Sequence, residues 1–220
     1  MRYPFFLQQQ SLQPFPLFGN ALQGEPLYLD MSDQNRDLLT VNVADQEAYF
    51  AYMQGKMGER YQWVISDYLE YRSTLLAHYP HMAQEKRFFH LGIDITVAAG
   101  TSLYSPLNAT VQNSGYEIGK GTYGGYILLK HTGNFETFYS FYGHMNPSTV
   151  PAIGSALQRG QKLGELGDMN NNGYWFPHLH LQILTERAFS EGYISKGYCT
   201  AEQLSEIPLL CPHPGFLFHF

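Results

Sequence analysis

The chain has 220 residues, a formal net charge of −6 and 44% hydrophobic residues, long enough for one substantial core or one domain with extensions. The acidic balance, with no offsetting Lys/Arg stripe, disfavours nucleic acid and anionic membrane surfaces as partners. No apolar run reaches the length of a membrane span.

Taken in chain order, the start Met1-Arg2-Tyr3-Pro4-Phe5-Phe6-Leu7 followed by Gln8-Gln9-Gln10 is too short and too interrupted for the core of a secretion signal. On that reading the protein is cytoplasmic or exported by another route, and periplasmic or extracellular if a leader has been removed. Residues 1–43 are rich in Pro, Gln and Gly and read as extended, with a strand around Leu39-Thr40-Val41-Asn42-Val43. Residues 44–59 predict a helix, with Asp45 as its cap and Tyr49, Phe50, Met53 and Met57 recurring at helical spacing. Trp63-Val64-Ile65 then reads as strand and Ser73-Thr74-Leu75-Leu76-Ala77 as helix. The aromatic side chains of residues 1–87 need a partner surface, so this partly helical N-terminal extension is expected to pack on the β region after it. The loop around Tyr71-Arg72 is the segment expected to cover one end of the groove there.

From about Phe88 to Leu184 the pattern is β, with turns expected at Gly100, Gly115, Gly124-Gly125, Gly133-Asn134, Gly154 and Gly173. Across the whole chain, 17 Tyr and 15 Phe beside 21 Gly and 12 Pro favour strands joined by long shaped loops. Residues 185–220 form a C-terminal extension with a short helix expected at Ala201–Glu206. Cys199 and Cys211 lack metal-site spacing with a second Cys, and free thiols are favoured over a pair.

The chemistry concentrates in three fragments of the β region: His90-Leu91-Gly92-Ile93-Asp94, Tyr142-Gly143-His144 and His178-Leu179-His180. They supply four imidazoles and one carboxylate. Two His and one Asp make an open zinc site with a fourth position left for water, and two His remain for proton and charge work. On a strand His178 and His180 share a face about 6.6 Å apart, whereas a straight strand would hold His90 and Asp94 about 13 Å apart. Gly92 lies between them, where a bend can close the gap, and Gly92 with Ile95-Thr96-Val97 argues against a helix. An Asp94 buried among apolar neighbours would be costly unless it met a cation or donors. His78, His81, His131, His213 and His219 read as packed or surface residues.

The motifs His90-x-Gly92-x-Asp94, Tyr142-x-His144 and Pro177-His178-Leu179-His180 resemble those of the M23 (lysostaphin/LytM-like) zinc endopeptidases. The resemblance runs from about Phe88 to Leu184 and extends to Ala98-Ala99-Gly100-Thr101, Ser105-Pro106-Leu107-Asn108-Ala109-Thr110-Val111 and Gly160-Gln161-Lys162-Leu163-Gly164-Glu165-Leu166-Gly167. It implies a mainly β fold, an antiparallel β-sheet or open-barrel LytM-like peptidase domain at 88–184, flanked by the extensions 1–87 and 185–220. It also implies one zinc ion held by His90, Asp94 and His180, with His144 and His178 as the non-ligand catalytic pair. The activity implied is hydrolysis of peptide bonds in peptidoglycan cross-links or stem peptides. Two other classes compete. A non-catalytic M23-like regulator would have lost ligands, and all five residues are present. A lipoyl or biotinyl domain would need an exposed Lys at a hairpin tip, where the chain reads Asp168-Met169-Asn170 after Gly167, and a phosphocarrier could use a His but would not need Asp94 beside it.

Overall fold

The structure, a computed structural model, describes residues 12–133 and 136–218. The Gln-rich start, Asn134 of the expected Gly133-Asn134 turn and His219 lie outside the described residues. In chain order the first elements are β1 (Leu27–Tyr28), α1 (Gln46–Met57), β2 (Val64–Ser66), α2 (Ser73–Leu76) and α3 (Pro80–Glu85). The β region holds β3 (Phe89–His90), β4 (Ile93–Thr96), β5 (Ser102–Tyr104), β6 (Ala109–Tyr116), β7 (Gly125–His131) and β8 (Phe138–Met145). It continues through β9 (Ala156–Leu157), β10 (Lys162–Glu165) and β11 (Leu179–Thr185). Then come α4 (Glu186–Ser190), β12 (Tyr198–Cys199) and α5 (Ile207–Leu210).

The architecture is mainly β. Eight strands form one sheet in the order β1-β2-β4-β11-β8-β7-β6-β9, which stays open with β1 and β9 at its edges. β1 runs parallel to β2, and every other neighbouring pair is antiparallel. β5 with β10, and β3 with β12, form two small ribbons. The central strands β8 and β11 are covered on both faces, which is why their sequences, Phe-Tyr-Ser-Phe-Tyr-Gly-His-Met and Leu-His-Leu-Gln-Ile-Leu-Thr, bury nearly every residue.

Two buried clusters hold the site between them. One joins Ile93, Ile95, Ile127, Phe141 and Leu181 of the sheet to Leu17, Trp63, Ile207 and Leu210. The other gathers Met31, Leu38, Val43, Tyr49, Met53, Leu75, Leu76 and Met82 around Phe176. α1 presents Tyr49 and Met53 to this second cluster, and Asp45 caps it by accepting the Glu47 and Ala48 amides at 3.0 and 3.2 Å.

Three local expectations fail for identifiable reasons. Leu39–Val43 is not a strand: a 3-10 turn spans Arg36–Thr40, because the Asn35 side chain accepts the Asp37 amide at 3.2 Å and Leu38 turns into the core. Gly115 is not a turn but an interior residue of β6, paired with Tyr126, whose hydroxyl would lie 2.8 Å from an added Cβ. Ala201–Glu206 yields only a 3-10 turn at Ala201–Gln203, closed by the Thr200 and Gln203 capping box.

Candidate metal centre

Strand register places the central pair. Asp94 of β4 and His180 of β11 are direct cross-strand partners, so their side chains leave the same face. His90 comes from β3, and the break at Leu91-Gly92 between β3 and β4 brings it back over Asp94: His90 Nε2 lies 3.2 Å from Asp94 Oδ1. Gly92 acts there by clearance. A Cβ would run into the Leu181 carbonyl oxygen and come within 2.9 Å of the His180 ring.

His90 Nε2, His180 Nδ1 and Asp94 Oδ1 form a small triangle. The nitrogens are 2.9 Å apart, and each lies 3.2 Å from the carboxylate oxygen. Ligand atoms about 2.0–2.1 Å from a tetrahedral ion lie about 3.3–3.4 Å from one another, so the triangle nearly has the size of one face of such a site. The outer nitrogens define its chemistry. His90 Nδ1–H donates to the Asp67 carbonyl at 3.1 Å, and His180 Nε2–H to Gln182 Oε1 at 3.1 Å. Each ring therefore turns a bare lone pair inward. Two lone pairs and a carboxylate oxygen packed this closely repel one another unless a cation, or a proton, sits between them. The donor set fits a divalent metal.

His144 and His178 stand beside the triangle in the same arrangement. His144 Nδ1–H donates to the Asn172 carbonyl and His178 Nδ1–H to the Phe176 carbonyl, both at 2.8 Å, leaving both Nε2 atoms bare. Their ring centroids are 4.3 Å apart, and His178 Nε2 is 4.0 Å from Asp94 Oδ1. Because Gly143 is the partner of His180, a regular β8 would send His144 to the opposite face. A bulge prevents that: Gly125 pairs with Met145 and Tyr126 with Gly143, leaving His144 as the extra residue at φ 65°. Its amide donates to the Tyr123 carbonyl and its carbonyl accepts from the Gly167 amide, which holds the unusual backbone in place. Tyr123 in turn lies over Gly143, where a Cβ would come within 2.7 Å of its ring.

Burial shapes the charges. It pushes the His90 imidazole down to about 4, helped by the Arg72 guanidinium. Burial also lowers His144 well below the usual histidine range, aided by His178 and His180, and it lowers His178. Burial alone would raise the Asp94 carboxyl, but His90 and Arg72 outweigh it and hold the group ionised, well below the usual carboxylate range. At neutral pH His90, His144 and His178 are therefore neutral imidazoles and Asp94 is a carboxylate, the forms that bind metal and accept protons.

Arg72 is the main residue that motif reading missed. Its Nη1 donates to Asp94 Oδ2 at 2.6 Å, which leaves Oδ1 for the triangle. Its Nε and Nη2 donate to Glu70 Oε2 at 2.9 and 2.6 Å, and Nη2 also to Ser66 Oγ at 2.9 Å. The whole side chain is buried, and its fork fixes the carboxylate plane. Gln182, two residues beyond His180 on the same strand face, was the one supporting residue that spacing could have found. His131, His213 and His78 lie away from the centre: His131 bonds Asn108 and Ser140, His213 pairs with Asp67 at 3.3 Å, and His78 is exposed. His81 is exposed and lines the cavity that adjoins the centre. Cys199 and Cys211 are free and buried, with thiols pushed up to about 12 by that burial.

A buried His–Asp–His trio beside two further imidazoles, set on neighbouring strands of an open β-sheet, is the donor set of an open metal centre. Residues 88–191 match the family model described as Peptidase family M23. A relative from Haemophilus influenzae described as an uncharacterized metalloprotease is 31% identical over 94 residues, covering 43% of this chain and 18% of the relative. The chain thus spans under a fifth of the length of that curated relative. Among solved structures, a zinc-containing peptidase from Vibrio cholerae aligns at 25% identity over 44% of this chain and 27% of its own, with a TM-score of 0.34. The catalytic domain of the antimicrobial peptidase lysostaphin from Staphylococcus simulans aligns at 18% identity over 55% and 80%, with a TM-score of 0.38. The likeness to peptidase family M23 is thus confined to residues 88–191, just under half of the chain.

Proposed function

We propose that this protein is a zinc-dependent endopeptidase acting on peptide bonds of peptidoglycan cross-links or stem peptides. The observation that carries the reading is the inward convergence of His90 Nε2, His180 Nδ1 and Asp94 Oδ1, with every outer imidazole nitrogen already committed to an acceptor. His90, Asp94 and His180 are the proposed ligands of one zinc ion. Bound there, zinc supplies Lewis acidity, polarising the scissile carbonyl and making water nucleophilic near neutral pH. His144 and His178 are the proposed catalytic pair. Each enters neutral with Nε2 bare: as an acceptor it takes a proton from the attacking water, and once protonated it donates to the developing oxyanion. The Nδ1–H bonds to backbone carbonyls keep both rings in that tautomer. Residues 88–184 form the proposed catalytic domain, with 1–87 packed on it and 185–220 as an extension.

A second reading, a metal-binding M23-like protein without turnover, is favoured by depth alone: His90, Asp94, His144, His178 and His180 are all at most 5% exposed. Elemental analysis of the purified protein, with hydrolysis assayed on peptidoglycan stem and bridge peptides, tests both. About one zinc per chain with hydrolysis is the expected result. Zinc without hydrolysis of any peptide selects the second reading, and no metal even after adding zinc overturns both.

A further inference from the structure

Beside the catalytic groups the fold keeps a cavity of about 170 Å³ whose floor includes Asp94, His144, His178 and His180. Six apolar side chains also line it, Met31, Val43, Leu75, Leu76, Met82 and Phe176, alongside the polar Gln46, Arg72, Arg87 and Glu117. Five of those six side chains precede residue 88, outside the stretch matched to the peptidase family. All six are under 9% exposed and packed into one cluster, so the wall is held in place.

Size and chemistry together name an occupant. A dry protein cavity of about 150 Å³ lined by aliphatic and aromatic groups accepts benzene. About 170 Å³ therefore suits an isobutyl, thioether or benzyl side chain, while glycine would leave it empty. Met31 and Met82 add adaptable walls that follow more than one apolar shape. A separate observation also points to a bound molecule. Tyr49 lines the same cavity at 2% exposure, and its hydroxyl has no hydrogen-bond partner among the described residues. A buried hydroxyl left unpaired is costly, and a peptide carbonyl or amide brought by a substrate would relieve that cost.

We propose that the N-terminal layer builds a side-chain pocket selecting peptides with a bulky apolar residue, of leucine, methionine or phenylalanine size, next to the scissile bond. The proposal rests on the metallopeptidase reading alone and departs from its peptidoglycan substrate, whose stem and bridge peptides carry no leucine, methionine or phenylalanine. Glycine-flanked bonds would be poor substrates because the apolar wall gains nothing from them.

The test uses the zinc-loaded full chain and simple hydroxamates: an unsubstituted parent, and derivatives carrying an isobutyl or benzyl group on either side of the hydroxamate. With binding measured by calorimetry, substitution on one side should tighten binding roughly 10- to 100-fold over the parent, the usual worth of burying one such side chain. Two independent pocket-filling variants, Val43→Phe and Met82→Phe, should reduce that ratio to near unity. Taking the ratio within each variant cancels any general loss of affinity, and either variant suffices if the other does not fold. Cleavage of a random decapeptide pool, read by mass spectrometry, should show the same apolar preference beside the cut. Equal binding of parent and substituted compounds, or cleavage confined to glycine-flanked bonds, overturns the pocket and leaves the peptidase standing. Binding of none of the compounds overturns the metallopeptidase reading itself, and the pocket falls with it.

Discussion

The β7–β8 pair carries a buried histidine at each end, and the two ends differ in one bond. At the far end His131 donates through Nδ1 to the Asn108 carbonyl at 3.1 Å, and its Nε2 is closed by the Ser140 hydroxyl at 2.7 Å. At the near end His144 donates through Nδ1 to the Asn172 carbonyl, but its Nε2 meets no hydrogen-bond partner among the described residues and faces His178 instead. Both rings are buried and burial lowers both, His131 to about 4 and His144 well below the usual histidine range. Burial and a depressed pKa therefore do not separate a structural histidine from a site residue. What separates them is whether the second nitrogen is spent.

That contrast is broken most severely by removing a proposed ligand. His180→Ala or Asp94→Ala should abolish zinc retention and peptide hydrolysis together, as read by elemental analysis and a peptide assay. Next in size, His144→Ala should keep zinc near full occupancy while turnover falls roughly 10²- to 10⁴-fold, and His178→Ala should behave alike. His131→Ala should alter melting temperature with turnover per folded molecule unchanged. If His131→Ala matches His144→Ala in turnover, the free-nitrogen criterion is wrong.

Arg72 sharpens the comparison at the metal end. Arg72→Met should weaken zinc binding roughly 10- to 100-fold in chelator competition, because Asp94 loses the fork that orients it. It also leaves the buried Asp94 and the half-buried Glu70 without their shared partner, a loss on the order of 3–5 kcal/mol in stability. Adding Glu70→Gln should restore much of the melting temperature but not the zinc affinity. Recovery of both would make Arg72 a structural residue only.

The smallest effect is a slope. His131 is depressed on folding, so below the unfolded histidine value near 6.5 the unfolded chain binds a proton that the native state refuses until about pH 4. Its contribution is thus fully present above pH 6.5 and is lost as pH falls towards 4. In metal-free protein, His131→Gln should remove about one proton from the acid slope, roughly 1.4 kcal/mol per pH unit across that window, measured by urea unfolding at several pH values. An unchanged slope would mean that His131 does not titrate with unfolding.

Much of this was legible along the chain. Helix α1 follows from Asp45 and the spacing of Tyr49 and Met53, because capping and periodicity act within a few residues. The five proposed site residues lie in three short motifs, and their residue types alone point to metal chemistry. Gly92 was readable as the place where His90 and Asp94 must be brought together, although its reason, clearance for Leu181 and His180, was not.

Tertiary structure decided the rest. The aim of His144 depends on a bulge set by register between β7 and β8, and alternation along β8 alone would have sent it to the other face. Arg72 reaches Asp94 across 22 positions, and no local spacing links a guanidinium in one loop to a carboxylate in a later strand. The apolar wall joins Met31, Leu76 and Met82 to Phe176, residues whose sequence reads simply as core. Local propensity, capping and motif chemistry are properties of neighbours in the chain and can be read there. Which nitrogen stays free, which face a bulged residue takes and which core side chains border a cavity are properties of packing, and they exist only once distant segments have met.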